Sequence, residues 1–174
     1  MLIYLISTKE LGLNYDSGAT AVASGLSDSD WAAKHSTTGW LFSLGSAVVS
    51  WRSAKQGSVA LSSTEAEVVA ASYAACEAVY LRALLLDLGF EQTEATELGV
   101  DNQGAVHIAK NAGASHTRMK HVARRHFFMR ELVADGTITV KFVPTDANVA
   151  DLFTKPLSAK RFVELRNAAM NISD

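Results

Sequence analysis

The sequence has only one cysteine, no long hydrophobic run at its N-terminus and no excess of positive charge. Cys76 has no partner within the chain, which excludes an internal disulfide framework and fits a reducing compartment. The apolar run of residues 1–6 is far too short to cross a bilayer, and it lacks the basic flank and small-residue cleavage site of a signal peptide. We therefore expect an intracellular protein with no membrane partner.

The balance of charge gives no global sign of nucleic-acid binding. The formal net charge is −2, whereas nucleic-acid-binding domains usually carry a basic face or stripe. Positive charge is nevertheless concentrated in residues 118–130, where it is carried by Arg118, Lys120, Arg124, Arg125 and Arg130. This stretch is interpreted either as a phosphate-binding helix face or as a solvated one. With 174 residues, 48% of them hydrophobic, the chain has the size and composition of one globular domain.

Residue patterns predict a mixed sheet with helices packed on it. Runs of β-type residues bounded by turn signals, such as Gly45 and Ser46, predict strands at residues 11–15, 21–26, 37–44, 47–53, 97–100 and 137–143. Helical periodicity and capping residues predict helices at residues 61–89, 104–110, 118–134 and, with an interruption at 155–157, 147–170. The residues before 11 are interpreted as the end of a helix. This order of elements is that of an α/β fold, which by itself determines no function.

Four acidic residues fall where these predicted elements begin or end. They are Asp28 at the edge of a strand, Glu67 in the first turn of the long helix, Asp101 after a strand, and Asp151 near the last helical region. In a mixed α/β sheet such positions can converge on one rim. Four carboxylates gathered there repel one another unless a cation compensates, and hard oxygen ligands suit Mg²⁺ or Mn²⁺. Two such ions can serve the hydrolysis of a phosphodiester.

Each of these acids also has a purely structural interpretation. Glu67 could complete a capping box begun by Thr64, as Glu65 could for Ser62. Asp101 could form a turn, and Asp151 could stabilise a helix N-terminus. Spacing alone does not decide between these roles and a metal site.

Six blocks of the sequence, in this order, resemble the ribonuclease H domain that follows reverse transcriptase in copia-type LTR retrotransposons. They are SDSDWA (27–32), TTGWLFSLGSAVVSWRSAKQ (37–56), VALSSTEAEVVAAS (59–72), VDNQGAVHIAKN (100–111), HTRMKHVARRHFFMRE (116–131) and VPTDANVADLFTKPL (143–157). LIYLISTKELGLNYD at 2–16 is similar to the final segment of the adjoining reverse transcriptase. The resemblance implies a C-terminal remnant of reverse transcriptase at 1–20 and a ribonuclease H domain at 21–174. It also implies a ribonuclease H-like fold, with three antiparallel strands, then two parallel ones, flanked by helices.

The resemblance implies an endonuclease that uses two Mg²⁺ ions, or Mn²⁺, to cut the RNA strand of RNA/DNA hybrids into 5′-phosphate and 3′-hydroxyl ends. Carried over by motif, the catalytic residues and metal ligands are Asp28, Glu67, Asp101 and Asp151. Two neighbours stay open as alternatives. Asp30 shares a strand face with Asp28 if the strand continues through SDSD, and Glu65 lies about 200° round the helix from Glu67, so only one of these glutamates can face the metals.

Substrate contacts and partners are likewise implied by the resemblance. Ser63 and Thr64 match positions that meet the minor groove of the hybrid in related enzymes, and Asn102 and Gln103 are expected to act similarly. The basic stretch is expected to hold DNA-strand phosphates through Arg118, Lys120 and Arg124. The expected partners are the hybrid and the reverse transcriptase domain of the same polyprotein, in cytoplasmic retrotransposon particles. The loop at 144–150 lacks the histidine that assists product release in cellular ribonucleases H, which raises the question of turnover.

Two other functions compete with this one. An integrase or transposase core uses similar carboxylates, but the block NVADLFTKPL and the upstream remnant match the ribonuclease H type instead. A non-catalytic binding or scaffold module of a decayed or domesticated element is the second. The presence of all four carboxylates argues against such decay.

Overall fold

A computed structural model of the protein describes residues 2–32, 34–110 and 123–172. The strands in this part of the chain are β1 (Ala23–Asp30), β2 (Thr37–Leu44), β3 (Ala47–Lys55), β4 (Thr96–Val100) and β5 (Ile138–Phe142). The α-helices are α1 (Leu2–Ser7), α2 (Ser63–Asp87), α3 (Gln103–Lys110), α4 (Ala123–Ala134) and α5 (Ala159–Met170). Two short 3₁₀ helices, η1 (Thr145–Ala147) and η2 (Val149–Phe153), precede α5.

The five strands form one mixed sheet in the order β3-β2-β1-β4-β5. β1, β2 and β3 are antiparallel, and β4 and β5 continue the sheet in parallel with β1. The β2–β3 hairpin turns at Gly45 and Ser46 as predicted, and Gly45 has a φ of 65°, which glycine adopts without strain. The predicted fold class, a five-stranded mixed sheet flanked by helices, is confirmed.

Helices cover both faces of the sheet because side chains of successive strand residues point to opposite sides. On one face, Trp40 and Phe42 of β2 pack with buried residues of α2, α3 and α4. On the other face, Leu41 packs with Val48 and with residues of η2 and α5. The end of the sheet near Asp28 therefore lies between α2 on one side and η2 on the other.

Helix α2 lies close to the sheet because its buried side is made of small residues. Six of them are at most 1% exposed: Ala66, Ala70, Ala71, Ala74, Ala75 and Ala78. The helix is long and apolar enough to cross a membrane, but 56% of its most apolar stretch is buried inside the protein. Its apolar composition is accounted for by packing in the core.

The prediction of a strand at residues 11–15 is wrong, because no regular secondary structure forms there. The backbone N–H of Asn14 donates to the carbonyl of Met170 (3.0 Å), and the Tyr15 hydroxyl donates to that of Val48 (2.7 Å). This segment therefore packs against β3 and the end of α5 rather than joining the sheet. The domain boundary after residue 20 stays a prediction.

Two predicted elements differ in extent from the observed ones. The first strand, predicted at residues 21–26, continues through Asp30, so the polar SDSD segment belongs to β1 itself. Of the helix predicted at 118–134, α4 is the described part, and residues 111–122 lie outside the described residues. The longer β1 matters for function because it places Asp28 within the sheet.

Gly39 allows η2 to approach the sheet directly beside Asp28. It pairs with Asp28 across β1 and β2. A Cβ atom at Gly39 would lie 2.6 Å from Thr154 Cγ2 and 3.1 Å from the Ala150 carbonyl oxygen. Because Ala150 lies in η2 and Thr154 directly follows it, a side chain here would push η2 away from β2.

We expect Gly39→Ala to lower the free energy of unfolding by about 1–3 kcal/mol, because overpacking displaces η2. Denaturant unfolding checks this, with Gly57→Ala as the matched control because no atom lies within 4 Å of a Cβ built there. Equal stability of the two variants would contradict the close packing described here.

Candidate metal centre

Asp28 and Asp101 lie close together where β4 ends beside β1. The last pair between these parallel strands is Ser27 of β1 with Val100 of β4, and Asp28 and Asp101 are the residues that follow it. Asp28 is 1% exposed, whereas Asp101 is half-buried. The parallel pairing thus places two carboxylates together at one end of the sheet, as expected for strand ends in α/β folds.

Glu67 reaches the same place from α2. Its Oε1 accepts hydrogen bonds from the backbone N–H of Ser29 (2.9 Å) and from the Ser29 hydroxyl (2.8 Å). Its Oε2 is buried and has no hydrogen-bond partner within the described part of the chain. Because an unpaired buried carboxylate oxygen is costly, this atom is available for a ligand.

Together, Asp28, Glu67 and Asp101 form a compact cluster of carboxylates. Each offers one oxygen atom, and these oxygens all lie within 4.8 Å of one another. Oxygens at such spacing can coordinate one hard divalent cation. Three of the four acids chosen from the sequence are therefore brought together, and their role as metal ligands stays a prediction.

Glu65 and Asp30, the two alternative acids, are not part of this cluster. Glu65 is a capping residue: its N–H donates to Ser62 Oγ (3.1 Å), and its Oε2 accepts from the Leu61 N–H (2.8 Å). Asp30 is half-buried and is not among the clustered carboxylates that the structure describes. The geometry therefore favours Asp28 and Glu67 over these neighbours.

Asp151 lies in η2 and is joined to the cluster through a lysine. Its Oδ1 is 2.7 Å from Nζ of Lys155, and the same Nζ is 3.7 Å from Oδ2 of Asp28. Asp151 is buried but is not one of the three mutually close carboxylates. The expected convergence of four carboxylates is thus observed for three, with a lysine between Asp28 and the fourth.

Sequence reasoning did not single out three residues that hold this region together. Asn148 is fully buried, donates to the Ser27 carbonyl (3.0 Å) and accepts from the Ala150 N–H (3.1 Å). The Thr154 hydroxyl donates to Asp28 Oδ2, and Lys155 bridges the two aspartates. The sequence signal for all three is their presence in the block NVADLFTKPL, which also contains Asp151.

Burial perturbs the acidity of two of these carboxyls. Burial, followed by the Asp28 charge, raises the pKa of Glu67 to about 8, although hydrogen bonds from Ser29 oppose the shift. Burial also raises the pKa of Asp28 to about 6, against the opposing effects of Thr154 and Lys155. Both groups therefore resist ionisation, and a bound cation would favour their charged forms.

The residues predicted to contact substrate begin two helices beside the cluster. Ser63 and Thr64 open α2, and Asn102 caps α3 by accepting from the Ala105 N–H (3.0 Å). A Cβ atom at Gly104 would lie 3.1 Å from Thr64 Cγ2, which shows that the two helix starts are in contact. Ser63 and Gln103 are exposed. Arg118, Lys120 and the side chain of Arg124 lie outside the described residues.

Comparison with known sequences identifies relatives of the whole chain. No protein-family model matches. The chain is 37% identical over 166 residues to the Retrovirus-related Pol polyprotein from transposon RE1 of Arabidopsis thaliana, covering 93% of this chain and 11% of that protein. It is 36% identical over 149 residues to the corresponding polyprotein of transposon TNT 1-94 from Nicotiana tabacum, with 83% and 11% covered. The chain thus spans about one ninth of these curated relatives.

Solved structures share the fold at low sequence identity. LC11-RNase H1, isolated from compost, superposes with a TM-score of 0.55 at 14% identity, covering 87% of this chain and 96% of that one. The same protein solved in complex with an RNA/DNA hybrid gives a TM-score of 0.52 at 12% identity, covering 76% and 93%. The chain therefore has the ribonuclease H fold. It belongs to the retrovirus-related Pol polyproteins of retrotransposons, of which it is a part with the ribonuclease H fold, and this confirms the resemblance found in the six sequence blocks.

The raised pKa of Glu67 has a consequence for stability. The folded state holds the Glu67 proton more tightly than the unfolded chain does, since the pKa rises from 4.5 to about 8. Between these values the folded state binds more protons, so stability falls as pH rises. The unfavourable effect of the Glu67 charge is therefore largest at or above pH 8.

We expect Glu67→Gln to stabilise the metal-free protein at pH 8 by on the order of 1–3 kcal/mol and to have little effect near pH 4.5. Thermal unfolding with chelator at both pH values measures this. Glu65→Gln is the matched control, because glutamine retains the cap acceptor and no stabilisation is expected. An unchanged melting temperature of Glu67→Gln at pH 8 would contradict the unfavourable burial of this carboxylate.

Proposed function

We propose that the chain is a ribonuclease H that hydrolyses the RNA strand of RNA/DNA hybrids during reverse transcription, by two-metal-ion catalysis. The observation that carries the proposal is the cluster of Asp28, Glu67 and Asp101 at the carboxyl ends of β1 and β4. A ribonuclease H fold alone determines no activity, because folds host many functions. Two buried carboxylates and a half-buried one, each with an oxygen within 4.8 Å of an oxygen of the others, need a reason, and a metal site supplies one.

The cluster fits hard divalent cations. Glu67 is 4% exposed with one oxygen unpartnered in the described structure, and Asp28 is 1% exposed. Burial of these groups raises their pKa values and opposes their ionisation in the absence of a cation. Oxygen-only ligands favour Mg²⁺ or Mn²⁺ over metals that prefer nitrogen or sulfur. Asp28, Glu67 and Asp101 would hold the ions, and Asp151 would complete the site.

Hydroxyl groups of neighbouring residues orient the three carboxylates that are proposed to bind the metals. Ser29 holds one oxygen of Glu67, Thr154 holds Oδ2 of Asp28, and the Thr145 hydroxyl donates to Oδ2 of Asp101 (3.0 Å). Such outer contacts determine which carboxylate oxygens face the centre. When bound, a pair of Mg²⁺ or Mn²⁺ ions would activate a water and stabilise the 3′-oxygen as it leaves. The products would then be a 5′-phosphate and a 3′-hydroxyl.

Short polar side chains beside the cluster suit a hybrid substrate. Ser63 and Thr64 lie at the start of α2 and Asn102 and Gln103 at the start of α3, and Thr64 and Asn102 both lie close to Gly104. Hydroxyl and amide groups can bind the 2′-hydroxyls and the minor groove that distinguish RNA-containing duplexes. A hybrid complex is known for LC11-RNase H1, which has the same fold. We assign the DNA-strand phosphates to Arg118, Lys120 and Arg124, as predicted from sequence.

The partner of this domain is proposed to be the reverse transcriptase of the same polyprotein. Two relatives of the chain, from transposons RE1 and TNT 1-94, are Pol polyproteins of which it spans 11%. Residues 1–20 would then be the end of the reverse transcriptase, and residues 14–16 attach it to the ribonuclease H domain. Asn14 contacts the end of α5, and the Asp16 N–H donates to Ser46 Oγ in the hairpin turn (2.9 Å).

Paired aspartate variants on β1 test the activity. We expect Asp28→Asn to reduce cleavage of a labelled RNA/DNA hybrid in Mg²⁺ or Mn²⁺ by roughly 100-fold or more, because it removes a metal ligand. Asp30→Asn, two residues along the same strand, should stay within about threefold of the wild type, because Asp30 lies outside the cluster. Asp101→Asn should behave like Asp28→Asn.

The same assay separates the proposal from its alternatives. A wild-type chain that binds the hybrid without cutting it in either metal would indicate a scaffold module. Cutting of duplex DNA in preference to the hybrid would indicate an integrase-like nuclease. Equal cleavage by wild type and Asp28→Asn would show that the carboxylate cluster is not the catalytic centre.

A further inference from the structure

Lys155 lies between two acids of the proposed metal site. Its Nζ is 2.7 Å from Asp151 Oδ1 and 3.7 Å from Asp28 Oδ2. Its side chain is 32% exposed, whereas those of Asp28 and Asp151 are 2% and 7% exposed. Water therefore screens this ion pair less than it screens a surface pair.

Charge balance explains why a cation is needed there. Asp28, Glu67, Asp101 and Asp151 are all acidic and lie at one end of the sheet. Within the part of the chain that the structure describes, Lys155 is the cationic residue that forms ion pairs with acids of this group, namely Asp28 and Asp151. Burial alone would lower the pKa of Lys155, but Asp151, Asp28 and Asp101 outweigh burial and raise it, so the ammonium stays charged.

The backbone holds Lys155 in this position. The N–H groups of Thr154 (3.3 Å) and Lys155 (3.4 Å) both donate to the carbonyl oxygen of Asp151. This tight turn ends η2 and directs the Lys155 side chain back towards the Asp151 carboxylate. Thr154, the preceding residue, binds Asp28 in the same turn. The lysine is thus part of a built arrangement rather than a flexible surface chain.

We propose that Lys155 is an internal counter-ion that holds Asp151 and Asp28 together before a divalent cation binds, and that it leaves Asp151 when one does. The inference rests on the proposed metal site, because it concerns competition for the same carboxylate. Lys155 is therefore a positioning residue. It preserves the folded shape of the metal-free site, and it weakens metal binding because the metal must displace an existing ion pair.

Calorimetric titration with Mn²⁺ alone, at fixed pH and ionic strength, tests this competition. Lys155→Met removes the charge but keeps a side chain of similar length, and it should bind Mn²⁺ roughly three- to tenfold more tightly than the wild type. Lys155→Arg keeps the charge and should stay near the wild-type affinity. Lys160→Met is the matched control, because Lys160 is 90% exposed on α5 and pairs only weakly with Glu164 (3.9 Å).

Thermal unfolding of the same proteins gives an independent readout. Metal-free Lys155→Met should melt roughly 2–8 °C below the wild type, because the buried aspartates lose their counter-ion. Saturating Mn²⁺ should narrow this gap, since tighter binding stabilises the variant more. If Lys155→Met does not fold, the wild type alone still tests the proposal: Mn²⁺ should increase the reactivity of Lys155 towards an amine-modifying reagent, measured by mass spectrometry against Lys160.

The outcomes separate this inference from the proposed function. Tighter Mn²⁺ binding by Lys155→Met, or a metal-dependent increase in Lys155 reactivity, supports a displaced counter-ion. Unchanged or weaker binding by Lys155→Met, or Lys155 reactivity that does not rise with Mn²⁺, overturns it and leaves the metal site intact. Absence of Mn²⁺ binding in both wild type and Lys155→Met overturns the metal site and this inference together.

Discussion

Burial of carboxylates that lie close to one another is the constraint on which the rest of this site depends. Asp28 and Glu67 are almost fully buried, and both have raised pKa values because water cannot solvate their charges. Ser29 and Thr154 donate hydrogen bonds to these carboxylates, and Lys155 brings a positive charge close to Asp28 and Asp151. The arrangement makes physical sense when a divalent cation supplies the remaining compensation.

The fold brings these groups together through three separate approaches to one end of the sheet. Parallel pairing of β1 with β4 places Asp28 beside Asp101, and α2 brings Glu67 over the sheet from one face. From the other face, η2 brings Asp151, and it can pack closely because Gly39 has no side chain. Asn148 then ties η2 to β1 through the Ser27 carbonyl. Residues more than 120 positions apart in the chain thus meet because of strand order rather than local sequence.

Local patterns were sufficient for the elements whose side chains pack in the core. The β2–β3 hairpin and α2 were predicted nearly to their observed ends because turn residues, capping residues and apolar runs mark them. The polar SDSD segment of β1 could not be recognised as strand, since its side chains serve the site and its neighbours rather than the core. Residues 11–15 show the opposite case, because these β-type residues form no strand and instead contact β3 and the end of α5 through Tyr15 and Asn14. The Lys155 contact was missed because it depends on how η2 lies against β1.

Anomalous diffraction from a crystal of the protein soaked with Mn²⁺ tests the central claim most directly. We expect a manganese peak within bonding distance of carboxylate oxygens of Asp28, Glu67 and Asp101, with Lys155 moved away from Asp151 wherever a metal contacts that residue. A fully occupied manganese site elsewhere on the protein, with no peak among these three carboxylates, would contradict it.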